Sequence, residues 1–199
     1  RVAQALHENR LCAFSGKEVA LVRRDGSSMA IEDSAAPLHD RDGAVIGGVM
    51  VFRDVTATRR MAQRITWAAT HDSLTGLVNR REFESRVEAA LLSARNSDTH
   101  HVLCYLDLDQ FKVVNDTCGH PTGDEVLRKV SAVLTRFIRD YDAAYRLGGD
   151  EFLIVLPDAG ETPAVRISER IRATVKTLEF EHVPAKEQIT LSIGVNAAV

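Results

Sequence analysis

The chain has 199 residues, 45% of them hydrophobic and 27% charged, with a formal net charge of −3. That is the composition of an ordinary globular protein, long enough for one full domain and a smaller companion. It gives no electrostatic reason to expect a nucleic-acid partner, and no apolar run approaches the 18 residues needed to cross a membrane.

Three cysteines, Cys12, Cys104 and Cys118, are widely spaced and match no zinc pattern. Cys104 lies in the apolar run VLCYL and reads as a buried thiol. A reducing, cytoplasmic setting is the expectation. The opening, RVAQALHENR, lacks the pattern of a secretion signal and an initiating Met, so the sequence reads as part of a longer protein.

In chain order, residues 2–12 read as a short helix. Glu18–Val22, Ser28–Ser34 and Ala44–Phe52 read as strands, separated by turn signals at Arg24-Asp25-Gly26 and His39–Gly43. Three such strands form an antiparallel meander with little core of its own. Residues 54–70 read as a helix capped by Asp54 or Thr56, with Met61, Ile65, Ala68 and Ala69 on one stripe. This segment suits a packed connector, with Trp67 as a packing residue, and equally a helix that pairs with its copy in a dimer.

Beyond the break at His71–Gly76, Asn79–Ala94 is an amphipathic helix with Phe83, Val87, Ala90 and Leu91 on its apolar side. His101–Leu106 is a strand ending in Asp107, and Phe111–Asp116 a short helix. Gly119–Asp124 reads as a loop, followed by a helix to Ile138 that Asp124 could cap. Ala143–Leu147 and Asp150–Leu156 are strands joined by a Gly148-Gly149 hairpin turn. A helix over Thr162–Leu178 and a strand over Gln188–Ala197 complete the order. The fold class is α+β, with helices against an antiparallel-containing sheet.

Two acidic groups lie at strand ends: Asp107 with Asp109, and Asp150 with Glu151 after the Gly-Gly turn. If the two strands are neighbours, these carboxylates can share cations, since magnesium takes hard oxygen ligands and leaves room for substrate phosphates. On spacing alone the favoured reading is solvated turn acids. The glycine pair serves a tight turn and also a close approach of backbone to a ligand. Arg139 beyond a helix end is explained by the helix dipole, and His120 as a loop residue.

Taken together, DSLTGLVNRR (72–81), DLDQFKVVNDTCGH (107–120), GDEVL (123–127) and GGDEF (148–152) resemble the GGDEF family of diguanylate cyclases, in the family's order, over about residues 70–199. The resemblance implies a nucleotidyl-cyclase, palm-like domain with a five-stranded central sheet and surrounding helices. It implies condensation of two GTP into cyclic di-GMP with release of pyrophosphate, each domain of a dimer holding one GTP. By the same likeness Asp107, the Leu108 carbonyl, Asp150 and Glu151 would hold Mg²⁺ or Mn²⁺, and Asp150 and Glu151 would serve catalysis. Phe111 and Lys112 would lie near the triphosphate, Asn115 and Asp124 would read guanine, and Gly148 and Gly149 would border the nucleotide. Arg139 and Asp142 match the family's RxxD site for inhibitory product.

Residues 18–56 are similar to the last strands of a PAS sensor domain. The implied organisation is a partial PAS domain over 1–54, a signalling helix over 55–70 and a GGDEF domain over 71–199. Family members continue with a further helix whose lysine contacts GTP phosphates, so the domain reads as C-terminally truncated. A downstream phosphodiesterase domain would be compatible with the likeness. The alternative function is a silent module that binds GTP or cyclic di-GMP and regulates an attached domain.

Overall fold

The structure, a computed structural model, describes residues 2–97, 100–181, 183 and 188–198. The chain forms two compact units, residues 1–67 and 68–199.

The first unit opens with helix α1 (Val2–Glu8) and continues as an antiparallel sheet in the order β1-β2-β3, formed by Cys12–Val22, Ser28–His39 and Val45–Asp54. β1 begins six residues before the expected strand: Cys12, Ala13 and Phe14 already pair with β2, and the register shifts between Phe14 and Val19, across the polar SGK stretch. The unit's buried apolar residues include Ile31 and Val55, and Ala5, Cys12 and Ala35 form one small cluster. Along β3, Val45, Ile46, Val49, Met50, Val51 and Phe52 are all exposed. Helix α2 (Thr56–Thr70) starts where the Asp54 carboxylate accepts the Thr56 N–H at 2.9 Å. Of the two expected caps it is therefore Asp54, while the Thr56 hydroxyl accepts the Ala30 N–H at 2.9 Å. α2 buries none of its residues, and Trp67 is 48% exposed instead of packed away.

The second unit is built on a five-stranded sheet in the order β4-β6-β7-β5-β8. Its strands are Val78–Asn79, Ala143–Gly148, Glu151–Pro157, His101–Leu108 and Leu191–Ala198 respectively. Only β4 with β6 is parallel. The α+β class with a five-stranded central sheet is the one expected from the sequence.

Strand alternation explains the layers. Val102, Cys104, Leu106 and Leu108 on β5, with Phe152, Ile154 and Leu156 on β7, point into one core. Helices α4 (Phe111–Cys118), α5 (His120–Phe137) and α6 (Glu161–Lys176) close that core through Val114, Val126, Val130, Leu134, Ile171 and Val175. Each such side chain, fully buried, contributes roughly 1.5–3 kcal/mol relative to exposure. Cys104 is a buried thiol, with the Ser168 hydroxyl 3.6 Å from its sulfur, and burial pushes its pKa up. Helix α3 (Arg80–Ser97) meets the other face, where Phe83 packs edge-on against Tyr145 at 5.0 Å. The expected apolar positions Ala90 and Leu91 lie outside the described side chains.

A further expectation fails. Gly119–Asp124 is not a loop: α5 begins at His120, with Pro121 in its first turn, so His120 is helical and Asp124 lies too far in to cap. The reason is the contact with α4. A Cβ on Gly123 would sit 2.0 Å from the Asn115 side-chain oxygen and 3.2 Å from the Phe111 ring. The glycine that reads as a loop signal is the notch that lets two helices meet.

Candidate active site

β5 lies between β7 and β8, and its C-terminal end carries Asp107. The antiparallel register sets Asp107 opposite Glu151. At the strand end, the Leu108 N–H donates to the Asp150 carbonyl at 3.3 Å. Three carboxylates, those of Asp107, Asp150 and Glu151, thus share one rim of the sheet. Desolvation, and then the charges of Asp150, Glu151 and Asp109, raise the pKa of Asp107 above its ordinary value.

Asp109 has different partners. Its carboxylate accepts the Thr190 hydroxyl at 2.5 Å and the Ser192 hydroxyl at 2.6 Å. Its backbone N–H donates to the Thr190 carbonyl at 3.0 Å. This acid ties the β5 end to the β8 start, a structural task that its DxD spacing did not separate from ligand binding.

Glu151 receives the hydroxyl of Tyr105, two residues before Asp107 on the same face of β5. That bond, with burial and the neighbouring acids, pushes the Tyr105 pKa up to about 12. Tyr105 is absent from the residues singled out by sequence. Its 46-residue separation from Glu151 leaves no local pattern to find.

The hairpin turn has positive φ at both glycines, 148° at Gly148 and 52° at Gly149, conformations that side chains strongly disfavour. The turn is braced from outside. Arg146 donates from Nε and Nη2 to the Gly149 carbonyl, at 3.2 and 2.9 Å, and from Nη1 to Asp72 at 2.9 Å. The side chains of Arg146 and Asp72 are only 12% and 24% exposed. Burial alone would raise the Asp72 pKa, but the Thr75 hydroxyl, Arg146 and the Thr75 N–H hold it below its usual range. Asp72 and Arg146 were likewise missed as functional candidates, being 74 residues apart.

Gln110 adopts a left-handed conformation, φ 59°, that turns the chain from β5 into α4. The first N–H groups of a helix have no intrahelical acceptor and favour phosphate. Phe111 is buried in the core, whereas Lys112 is exposed. Asn115 lies against Gly123, one residue before Asp124, so these two polar side chains come from adjacent turns of α4 and α5. Asp124 also lies 3.7 Å from Arg128.

Arg139 and Asp142 sit between α5 and β6, apart in sequence from the carboxylate rim. The Arg139 N–H donates to the Asp142 carboxylate at 2.8 Å, and the Arg139 guanidinium donates to the Tyr141 hydroxyl.

Among the described residues, no three His, Cys, Asp or Glu side chains converge to hold a metal ion by themselves. The donor set nonetheless fits magnesium. That ion commonly takes one or two protein carboxylates and completes its shell with water and phosphate oxygens, and the repulsion felt by Asp107 is what a cation would relieve.

Comparison with known proteins decides the family. The model of the diguanylate cyclase GGDEF domain matches residues 69–199. The chain belongs to this family. Among curated relatives, the probable diguanylate cyclase DgcE of Escherichia coli K12 is 37% identical over 179 residues, 90% of this chain but 16% of the relative. Diguanylate cyclase DgcM of the same organism is 31% identical over 98% of this chain and 47% of its own length. The chain therefore spans less than half of either relative. The coiled coil and GGDEF domain of DgcB from Caulobacter crescentus, solved with c-di-GMP, superposes with a TM-score of 0.68 at 32% identity. That match covers 73% of this chain and 78% of the solved DgcB chain. The GGDEF signature of this chain, Gly148–Phe152, is the β6–β7 turn described above. No helix among the described residues is long and apolar enough to cross a membrane.

Proposed function

We propose that the chain is a diguanylate cyclase in its own right, joining two GTP molecules into cyclic di-GMP across a dimer. The observation that carries this reading is the register of β5 with β7, which gathers Asp107, Asp150 and Glu151 at one rim beside a side-chain-free glycine turn. In this reading Asp107, Asp150, Glu151 and the Leu108 carbonyl hold Mg²⁺ or Mn²⁺. The ion supplies charge neutralisation for the triphosphate.

The chain's own groups do the rest. N–H groups at the start of α4, with Lys112, orient the phosphates. Asn115 and Asp124 recognise the guanine edge, the carboxylate accepting from N1–H and the 2-amino group. Gly148 and Gly149 let the nucleotide lie against backbone. Glu151, held by Tyr105, is placed to receive the proton of an attacking 3′-hydroxyl. That oxygen forms a bond to the α-phosphorus of the GTP on the facing domain, and pyrophosphate leaves. Two such steps, one from each side, close the ring.

Each domain holds one substrate, so rate depends on pairing. α2, with no buried residue and an exposed Met61–Ile65 stripe, is the element we assign to pairing. Residues 1–54 are read as the closing strands of a PAS sensor, and Arg139 with Asp142 as the product-inhibition site.

The test is incubation with GTP and Mg²⁺ over a range of protein concentrations, with cyclic di-GMP quantified by chromatography. Specific activity that rises with concentration supports the reading. Absence of product at every concentration, with GTP still bound, would leave a nucleotide-binding regulatory module.

A further inference from the structure

The sheet face turned away from the main core carries a phenol beside the carboxylate rim. Cys104, Leu106 and Leu108 of β5 fill the core, so alternation sends Tyr105 and Asp107 to the opposite face. On β7, Glu151 lies opposite Asp107 and Leu153 opposite Tyr105. The Tyr105 hydroxyl therefore meets Glu151 across the diagonal and donates to its Oε1. On the other side, β8 sets Gly194 opposite Tyr105. A Cβ at Gly194 would meet nothing within 4 Å, so no side chain from that position wedges the ring. Tyr105 is 39% exposed. A ring that only filled space between strands would be served by phenylalanine. A neutral donor among acids does more: it engages one carboxylate oxygen and adds no positive charge to compete with a cation.

We propose that Tyr105 is a positioning residue that sets which divalent cation the rim prefers: its hydroxyl occupies Glu151 Oε1 and leaves Glu151 a single oxygen for metal. The inference rests on the reading of Asp107, Asp150 and Glu151 as metal ligands and adds a basis for ion choice. Magnesium demands a near-octahedral shell, which the narrow bite of a carboxylate bound through both oxygens distorts. Calcium is larger, takes roughly six to eight oxygens and accepts a carboxylate through both of them. With Oε1 bonded to Tyr105, calcium gains that second oxygen only by breaking the Tyr105 bond, whereas magnesium loses nothing. Among the described residues no three acidic, His or Cys side chains converge as a ready-made cage. Where protein donors are so few, one oxygen more or less changes the preferred ion.

The test is paramagnetic resonance of Mn²⁺ bound to the protein with a GTP analogue whose α–β bridge is a methylene, displaced by Mg²⁺ or by Ca²⁺. Tyr105→Phe, Glu151→Gln and the double variant are compared with the parent, with melting curves to confirm folding. Tyr105→Phe should lower the displacing concentration of Ca²⁺ about tenfold, the worth of one hydrogen bond to a charged group, and leave that of Mg²⁺ close to the parent. Glutamine offers one oxygen and cannot chelate. In the Glu151→Gln background, Tyr105→Phe should therefore change neither concentration. An unchanged Ca²⁺ to Mg²⁺ ratio in Tyr105→Phe, including equal weakening of both, overturns the proposal and leaves the cyclase reading standing. The same Ca²⁺ shift with Glu151→Gln in place also overturns it, since the effect then bypasses Glu151. Mn²⁺ held no better by the parent than by Asp107→Asn removes the metal-site reading, and this proposal with it.

Discussion

Asp107 carries a proton cost that can be measured. Its folded-state pKa lies above the ordinary 3.8 because burial and three neighbouring acids disfavour its charge. The stability linked to that proton is complete below the unfolded pKa and is lost as pH rises through the folded one. Without magnesium, Asp107→Asn should therefore melt higher than the parent at pH 7, and the difference should vanish below about pH 3.8. Magnesium with GTP should reverse the order at pH 7, because only the parent keeps the ligand. Gly123→Ala tests the neighbouring notch. Its new methyl would stand 2.0 Å from the Asn115 oxygen, so Asn115 must move; the expected result is a raised KM for GTP with the carboxylate rim intact. Arg146→Ala removes the brace on Gly149. It should cost about 2 kcal/mol of stability, typical of hydrogen bonds to a charged group, and lower kcat more than GTP affinity. Denaturant melts and steady-state kinetics read both. The strand-end positions of Asp107 and Asp150 were legible because apolar alternation stops there. Tyr105 and the Asp72–Arg146 pair were not, because each joins residues whose proximity exists only once the sheet has formed.

Elements were legible where one periodicity ran without interruption. β5, β7 and α6 fall close to the expected ranges because alternating or helical burial extends nearly from end to end. The start of α5 was misread because Gly119, Pro121 and Gly123 within five residues carry turn propensity, and the α4–α5 contact outweighs it. The N-terminal end of β1 was misread because a register shift across a polar stretch separates its paired start from the rest of the strand. α2 shows the opposite problem. Its pattern is plain, yet its stripe has no buried residue. A helix of 15 residues is marginal in water without a partner. If α2 pairs with its copy, Met61→Glu with Ile65→Glu should shift sedimentation toward monomer and lower specific activity most at low protein concentration. Equal sedimentation and equal rates would refute that role.

At the scale of the molecule, the two units differ in how they are held together. Residues 68–199 enclose a continuous core between one sheet face and three helices, whereas the cluster in residues 1–67 consists of Ala5, Cys12 and Ala35. Stability is correspondingly uneven. Hydrogen exchange should be rapid in β1–β3 and slow in β5 and β7, and brief proteolysis should leave a fragment close to residues 68–199. Uniform protection across both units would contradict this. The brace on the hairpin also bears on how such sequences are read. The carbonyl that shapes the GGDEF turn is held by an arginine whose charge is balanced 74 residues upstream. A chain can therefore spell the signature perfectly and still present a slack turn if either Asp72 or Arg146 is replaced. Sorting working cyclases from degenerate copies calls for checking that distant pair alongside the five letters that give the family its name.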